Sequence, residues 1–183
     1  MGMPAPQHIA TIEELLALPE DGLRHELLDG EHVVTPAPSM RHQRALFAVL
    51  DAISPVLRGH AEVEMLWSPA DLHLGPRTLV QPDLFVFARQ PADTEWKDVP
   101  VPYLVIEALS PSTAARDRNK KRRIYLDAGV EEYWIVDADA CVVERWQGGD
   151  ERPEIVDGTL NWSLSVGVSG SIDLPRLFQG IHE

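Results

Sequence analysis

The chain has 183 residues, 44% of them hydrophobic and 25% charged, enough apolar material for one ordinary globular core. Sixteen Lys and Arg against 29 Asp and Glu give a net charge of −13, which disfavours tight non-specific binding to a phosphate backbone. A lone cysteine, Cys141, rules out an internal disulfide, and no window approaches the roughly 20 apolar residues of a membrane span. Residues 1–10 lack a basic segment followed by an apolar one, so no signal peptide is expected and this stretch is predicted to be flexible. The expected setting is the cytoplasm.

In chain order, Thr11 to Leu18 predicts a short helix, with Thr11 and Glu14 spaced as a capping box and Pro19 closing it. His25 to Val34 predicts a hairpin turning at Asp29-Gly30. His42 to Leu57 carries apolar residues at helical spacing, with a kink or end expected near Pro55. Strand-like runs follow at 63–67, 71–74 and 80–87. Residues 89–102, with three prolines and five charges, predict an exposed loop. A strand at 103–109, a helix at 116–128 and strands at 132–137 and 142–146 come next, then a turn at Gly148-Gly149-Asp150. Short strands are expected to about Leu174, with Leu177-Phe178 packing the end. No repeat or linker divides the chain, so one domain over residues 1–183 is expected, an α/β sandwich around a mixed sheet.

Charged side chains are rare inside apolar strands unless paired or bound to metal. Asp83 opens one such run, Leu84-Phe85-Val86-Phe87, and Glu107 lies inside another, Leu104-Val105-Ile106-Glu107-Ala108-Leu109. Alternation puts Glu107 on the face of Val105, and Asp83 on the face of Phe85 and Phe87. If the strands are neighbours with like faces aligned, two carboxylates meet, and a divalent cation relieves their repulsion. Magnesium suits such a site, and manganese can substitute. The plainer alternatives are backbone amides for Asp83 and a salt bridge to the 116–123 run for Glu107.

At 100° per residue, Ile124, Tyr125 and Ala128 lie about −60°, +40° and −20° from Lys121. Lys121 is thereby centred on the inward stripe of its helix and needs an anion, either Asp117 one turn earlier or the acidic pair. Six of the 16 cations fall between Arg116 and Arg123, a basic rim beside the candidate site. His42, at a helix start, is expected to cap or to bond in the core. His25, His32, His60 and His73 lack zinc-ligand spacing. Ser110 has no nucleophile's partners and reads as ending a strand before a helix capped with Thr113. Tyr133 and Trp134 read as core or interface aromatics.

The block Leu104 to Thr113, followed by Arg116-Asp117-Arg118, Lys121, Tyr125, Ala128-Gly129-Val130 and Glu132 to Asp137, closely resembles a large bacterial family of putative restriction endonucleases, the Uma family. Further matches lie at Glu26-Leu27-Leu28-Asp29-Gly30, at His42 and at Gln81-Pro82-Asp83. That family is assigned to the PD-(D/E)XK nuclease superfamily. The resemblance implies a restriction-endonuclease-like core, a mixed central β-sheet flanked by helices, with extra antiparallel strands at both ends. It also implies an Asp and a Glu that bind magnesium, matched by Asp83 and Glu107, and an assisting lysine. The superfamily pattern puts that lysine two residues after the acid, where this chain has Leu109; Lys121 on the following helix takes its place. Glu26 resembles an additional acidic metal position.

The expected function is a magnesium-dependent endonuclease acting on nucleic acid, with DNA the expected substrate. Asp83, Glu107 and Lys121 are its catalytic residues, and a homodimer is the assembly that could cut both strands. The alternative is a nuclease fold kept as a binding or regulatory module with weak or absent catalysis, which the acidic surface favours.

Overall fold

The computed structural model describes residues 9–182. The segment expected to be flexible, 1–10, lies almost wholly outside them. No helix among the described residues is long and apolar enough to cross a membrane.

Among the described residues, twelve strands form three sheets and five α-helices accompany them. The central sheet has six strands, in order β10 (Glu154–Val156), β9 (Val142–Gln147), β8 (Glu132–Asp137), β7 (Leu104–Ala108), β6 (Leu84–Ala88) and β3 (Val63–Trp67). Only β7 and β8 run parallel, and the helical segment 114–127 crosses between them, so the sheet is mixed as expected. A smaller sheet, β2 (Glu31–Thr35), β1 (Arg24–Leu28), β5 (Thr78–Val80) and β4 (Leu72–Gly75), packs against one face.

Alternation along the central strands builds two cores. Leu84, Val86, Leu104, Ile106, Trp134 and Val136 meet α2 (Met40–Leu57), α5 (Leu174–His182) and the hairpin of β11 (Thr159–Ser163) and β12 (Ser169–Asp173). Phe85, Phe87, Val105, Tyr133 and Ile135 point the other way, toward Leu28, Leu72 and Val80 of the small sheet and Ile124 and Tyr125 of the crossover. Both faces are covered, which explains why these strands read as unbroken apolar runs.

Local signals hold where predicted. Thr11 and Glu14 form the capping box of α1 (Ile12–Leu16). Asp29 and Gly30 take positive φ of 52° and 80°, as a two-residue hairpin demands. A Cβ on Gly30 would also run into the Arg77 guanidinium.

Three expectations change. Residues 80–87 are two strands, because β5 belongs to the small sheet and β6 to the central one, and Gln81-Pro82-Asp83 carries the chain between them. Pro55 lies inside α2, and the helix runs two residues beyond it. The C-terminal residues form α5, a helix whose Leu177, Phe178 and Ile181 seal the core; its internal Pro175 and Gly180 concealed it. Pro175 sits in the first turn, where a missing N–H does no harm.

Ile53 is fully buried on the α2 face of the core. Ile53→Ala is expected to lower unfolding free energy by about 2–5 kcal/mol in urea titration, with the secondary structure of the native state unchanged.

Candidate active site

The register of β6 on β7 (Leu84 with Ile106, Phe85 with Val105) extends by one step to set Asp83 opposite Glu107. Opposed residues of an antiparallel pair share a face, so the two acids stand together, as the alternation argument required. The Ala108 amide donates to Asp83 Oδ2 at 3.0 Å, tying the acid to the neighbouring strand. Facing them, Glu26 projects from β1 on the side of Leu28, into the space between the two sheets.

Lys121 enters this space from the crossover. Its helical segment is irregular, with α3 (Ala114–Arg116), a π turn over Asp117–Lys121 and α4 (Arg122–Asp127). The wide turn keeps Asp117 and Lys121 both on the buried side. Lys121 Nζ lies 2.8 Å from Glu26 Oε1 and 2.9 Å from Glu107 Oε1. The plainer partner, Asp117, is nearby but not the one it bonds. Tyr125 donates its hydroxyl to Glu107 Oε1 at 2.8 Å, and the Gln81 amide donates to Glu26 Oε1 at 2.8 Å.

Asp83, Glu107, Asp117 and Lys121 line one cavity of about 190 Å³, together with Ser110 and Arg116. The three residues singled out as catalytic are thus brought to a single place, and Glu26 joins them through Lys121.

Sequence reasoning underweighted His42 and missed Arg24. His42 Nε2 lies 2.9 Å from Asp83 Oδ2, and Arg24 donates to Asp83 Oδ1 at 3.1 Å. Arg24 was within reach of the alternation argument, since it shares a strand face with Glu26. For His42 the sequence offered its family match and its place three residues after the Ser39 cap, neither of which pointed to Asp83. The basic rim is also smaller than expected. Arg118 is tied to Glu144 and Asp137, Lys120 to Glu31, and Arg122 lies 4.4 Å over the Trp146 ring. Arg116, on the cavity wall, makes no ion pair among the described residues, and its Nε is buried without a hydrogen-bond partner. Elsewhere, His25 and His32 meet ring to ring, bonded at 2.9 Å, though nothing in their spacing indicated it.

The electrostatics follow from four buried carboxyl groups around one buried amine. Burial disfavours ionised Asp83, but His42, Arg24 and Lys121 outweigh it and hold its carboxyl at about 2. Burial likewise opposes ionised Glu26, and Lys121 with the Gln81 amide outweighs it, leaving the carboxyl below its ordinary range. Burial pushes Glu107 up to about 8; Lys121 opposes the shift, while Asp83, Asp117 and Glu26 reinforce it. Burial alone would discharge Lys121, yet Glu107, Glu26 and Asp117 hold its amine above the ordinary lysine range. Burial first, and then the other carboxyl groups, therefore bias Glu107 toward its neutral form.

Among the described residues no three His, Cys, Asp or Glu are poised together as a ready-made metal cage. The donor set nevertheless fits magnesium, which takes one or two carboxylates and completes its shell with water and phosphate oxygens.

The Glu107 proton has a stability signature. A carboxyl whose folded value of about 8 exceeds its ordinary 4.5 keeps a proton that the unfolded chain releases, so its contribution is whole below about pH 4.5 and is lost as pH rises through 8. In metal-free urea titrations, wild type is expected to lose stability relative to Glu107→Gln across that window. A constant difference would show that Glu107 is ionised throughout.

The fold has a counterpart among solved structures. A crystal structure of a protein from Anabaena variabilis ATCC 29413, described as a putative nuclease belonging to DUF820, shares the fold with a TM-score of 0.78 at 21% identity, over 93% of this chain and 98% of that one. No curated protein matches the chain. The family model Uma2, described as "Putative restriction endonuclease", matches residues 12–175, nearly the whole length. The chain belongs to the Uma2 family.

Proposed function

We propose that the protein is a magnesium-dependent endonuclease that hydrolyses phosphodiester bonds in DNA. The observation that carries this reading is the convergence of Asp83, Glu107 and Lys121 on one solvent-reachable cavity, with a surplus of buried carboxyl groups. Membership of the Uma2 family supports the reaction class. In hydrolysis, water adds at phosphorus and one P–O ester bond breaks. The products are a phosphate monoester and an alcohol, and the proton lost by water balances the one gained by the leaving oxygen.

Asp83 and Glu107 would hold the ion, with Glu26 next to them. When bound, it supplies charge neutralisation at the phosphate and acidifies a water molecule. The other roles belong to the chain. Arg24, His42 and the Ala108 amide fix the Asp83 carboxylate, and Tyr125 with Lys121 fixes that of Glu107. The Lys121 ammonium presents positive charge where the pentacovalent phosphorus becomes more negative. Arg116, unpaired on the cavity wall, is suited to a non-bridging phosphate oxygen. A homodimer is needed only for concerted cutting of both strands.

One observation favours the second reading, a binding module without catalysis: His42, Arg24 and the Ala108 amide already occupy both Asp83 oxygens. Calorimetric titration with magnesium separates the two, because the enzyme takes up metal with loss of heat signal in Asp83→Asn, and the module gives no heat.

The isosteric variants Asp83→Asn, Glu107→Gln and Lys121→Met are expected to lower metal-dependent cleavage by at least about 10²-fold while staying folded by circular dichroism. Wild-type rates in all three would remove the assignment. Arg116→Ala is expected to raise KM more than it lowers kcat and to reduce the salt slope of binding by about one. An unchanged slope would mean that Arg116 touches no phosphate.

A further inference from the structure

A second concavity meets the acid from the α2 side. This groove has a volume of about 710 Å³, within the range of small-ligand sites. Arg24, Pro38, His42 and Asp83 line both it and the acidic cavity, so the two concavities adjoin at these residues. Its outer wall is apolar and open: Leu23 is 50% exposed, Phe47 69% and Trp67 58%. Among the described residues the exposed large aromatics are Phe47, Trp67 and Trp96, and two of these three stand in this groove.

Trp67 is placed by the sheet. It pairs in register with Leu84, next to Asp83, and ends the edge strand β3, so no further strand covers it. The Ser68 amide donates to the Asp83 carbonyl at 3.1 Å, which fixes the end of β3 beside the acid. An exposed indole and phenyl ring thus line the same groove as Asp83.

We infer that this groove receives an unpaired nucleobase, stacked on Trp67 and Phe47, from the strand whose phosphodiester lies at Asp83; the substrate class is single-stranded or locally opened DNA. The inference rests on the nuclease reading for what lies at Asp83. A base sits one sugar away from its phosphate, so a chain entering the acidic cavity brings its neighbouring base to the groove they share. In a duplex that base is paired and its faces are stacked, so the aromatic wall would be idle. A net −13 surface gains little from a long phosphate footprint, which leaves stacking on aromatic rings as a contact that needs no basic surface of its own. A second copy of the chain in this groove would bring another −13 toward the first.

The test uses the full chain in EDTA, which blocks cleavage, with a short single-stranded oligodeoxynucleotide carrying 2-aminopurine as the fluorescent probe. Wild type is expected to quench the probe and to bind it at least tenfold more tightly than the same sequence in a blunt duplex. Trp67→Ala is expected to weaken single-strand binding on the order of tenfold, with Trp67→Phe restoring most of it. Equal affinity of wild type and Trp67→Ala, or of single strand and duplex, overturns the inference. So does a wild-type dimer that becomes monomeric in Trp67→Ala with unchanged DNA affinity. Loss of single-strand affinity in Trp67→Ala supports the base site even if the wild type proves unable to cleave, an outcome that would remove only the nuclease reading.

Discussion

The buried ammonium of Lys121 is the interaction on which the rest of the site depends. It joins Glu26 on the small sheet to Glu107 on the central sheet, and it arrives from the crossover between the two parallel strands. Three elements far apart in the chain are thereby fixed at one point. Buried ion pairs are poor investments for stability: an apolar replacement of equal volume is often neutral or better, while removing one partner costs about 3–5 kcal/mol. A cluster of four carboxyl groups and one amine between two otherwise apolar layers is therefore better explained by chemistry than by folding.

The other half of the site follows from a break in the chain. Gln81-Pro82-Asp83 leaves the small sheet and joins the central one, so Asp83 stands where the two sheets part. There its carboxylate, though almost fully buried, borders the cavity and is held by His42, Arg24 and the Ala108 amide. The two acids consequently differ. Asp83 is kept ionised by its cationic neighbours, and Glu107 is driven toward its neutral form by burial and by the other carboxyl groups. Environments that push paired acids apart are a recurrent mark of functional sites.

Much of this was legible in the sequence, for identifiable reasons. Period-two alternation placed Asp83 and Glu107 on one face, and helical periodicity turned Lys121 inward; both arguments need only local geometry. The Thr11 cap and the Asp29-Gly30 turn were readable because their chemistry lies within a few residues. What stayed hidden was long-range. The pairing of Lys121 with Glu26 depends on how the small sheet packs, and His42 reaches Asp83 only because α2 lies across β6. Six cations within eight positions looked like a basic rim, but Glu144, Asp137 and Glu31 neutralise Arg118 and Lys120 from elsewhere in the fold. α5 escaped because Pro175 and Gly180 resemble loop punctuation when the core beneath them is unseen.

The chemistry of the site turns on whether a hard cation binds among these carboxyl groups. A crystal structure of the protein soaked in manganese, read by anomalous scattering, tests this most directly. The predicted result is a peak with Asp83 and Glu107 oxygens about 2.1 Å away and Lys121 still facing Glu26. A peak bound elsewhere, or none at saturating metal with Lys121 still bridging Glu26 and Glu107, would contradict it.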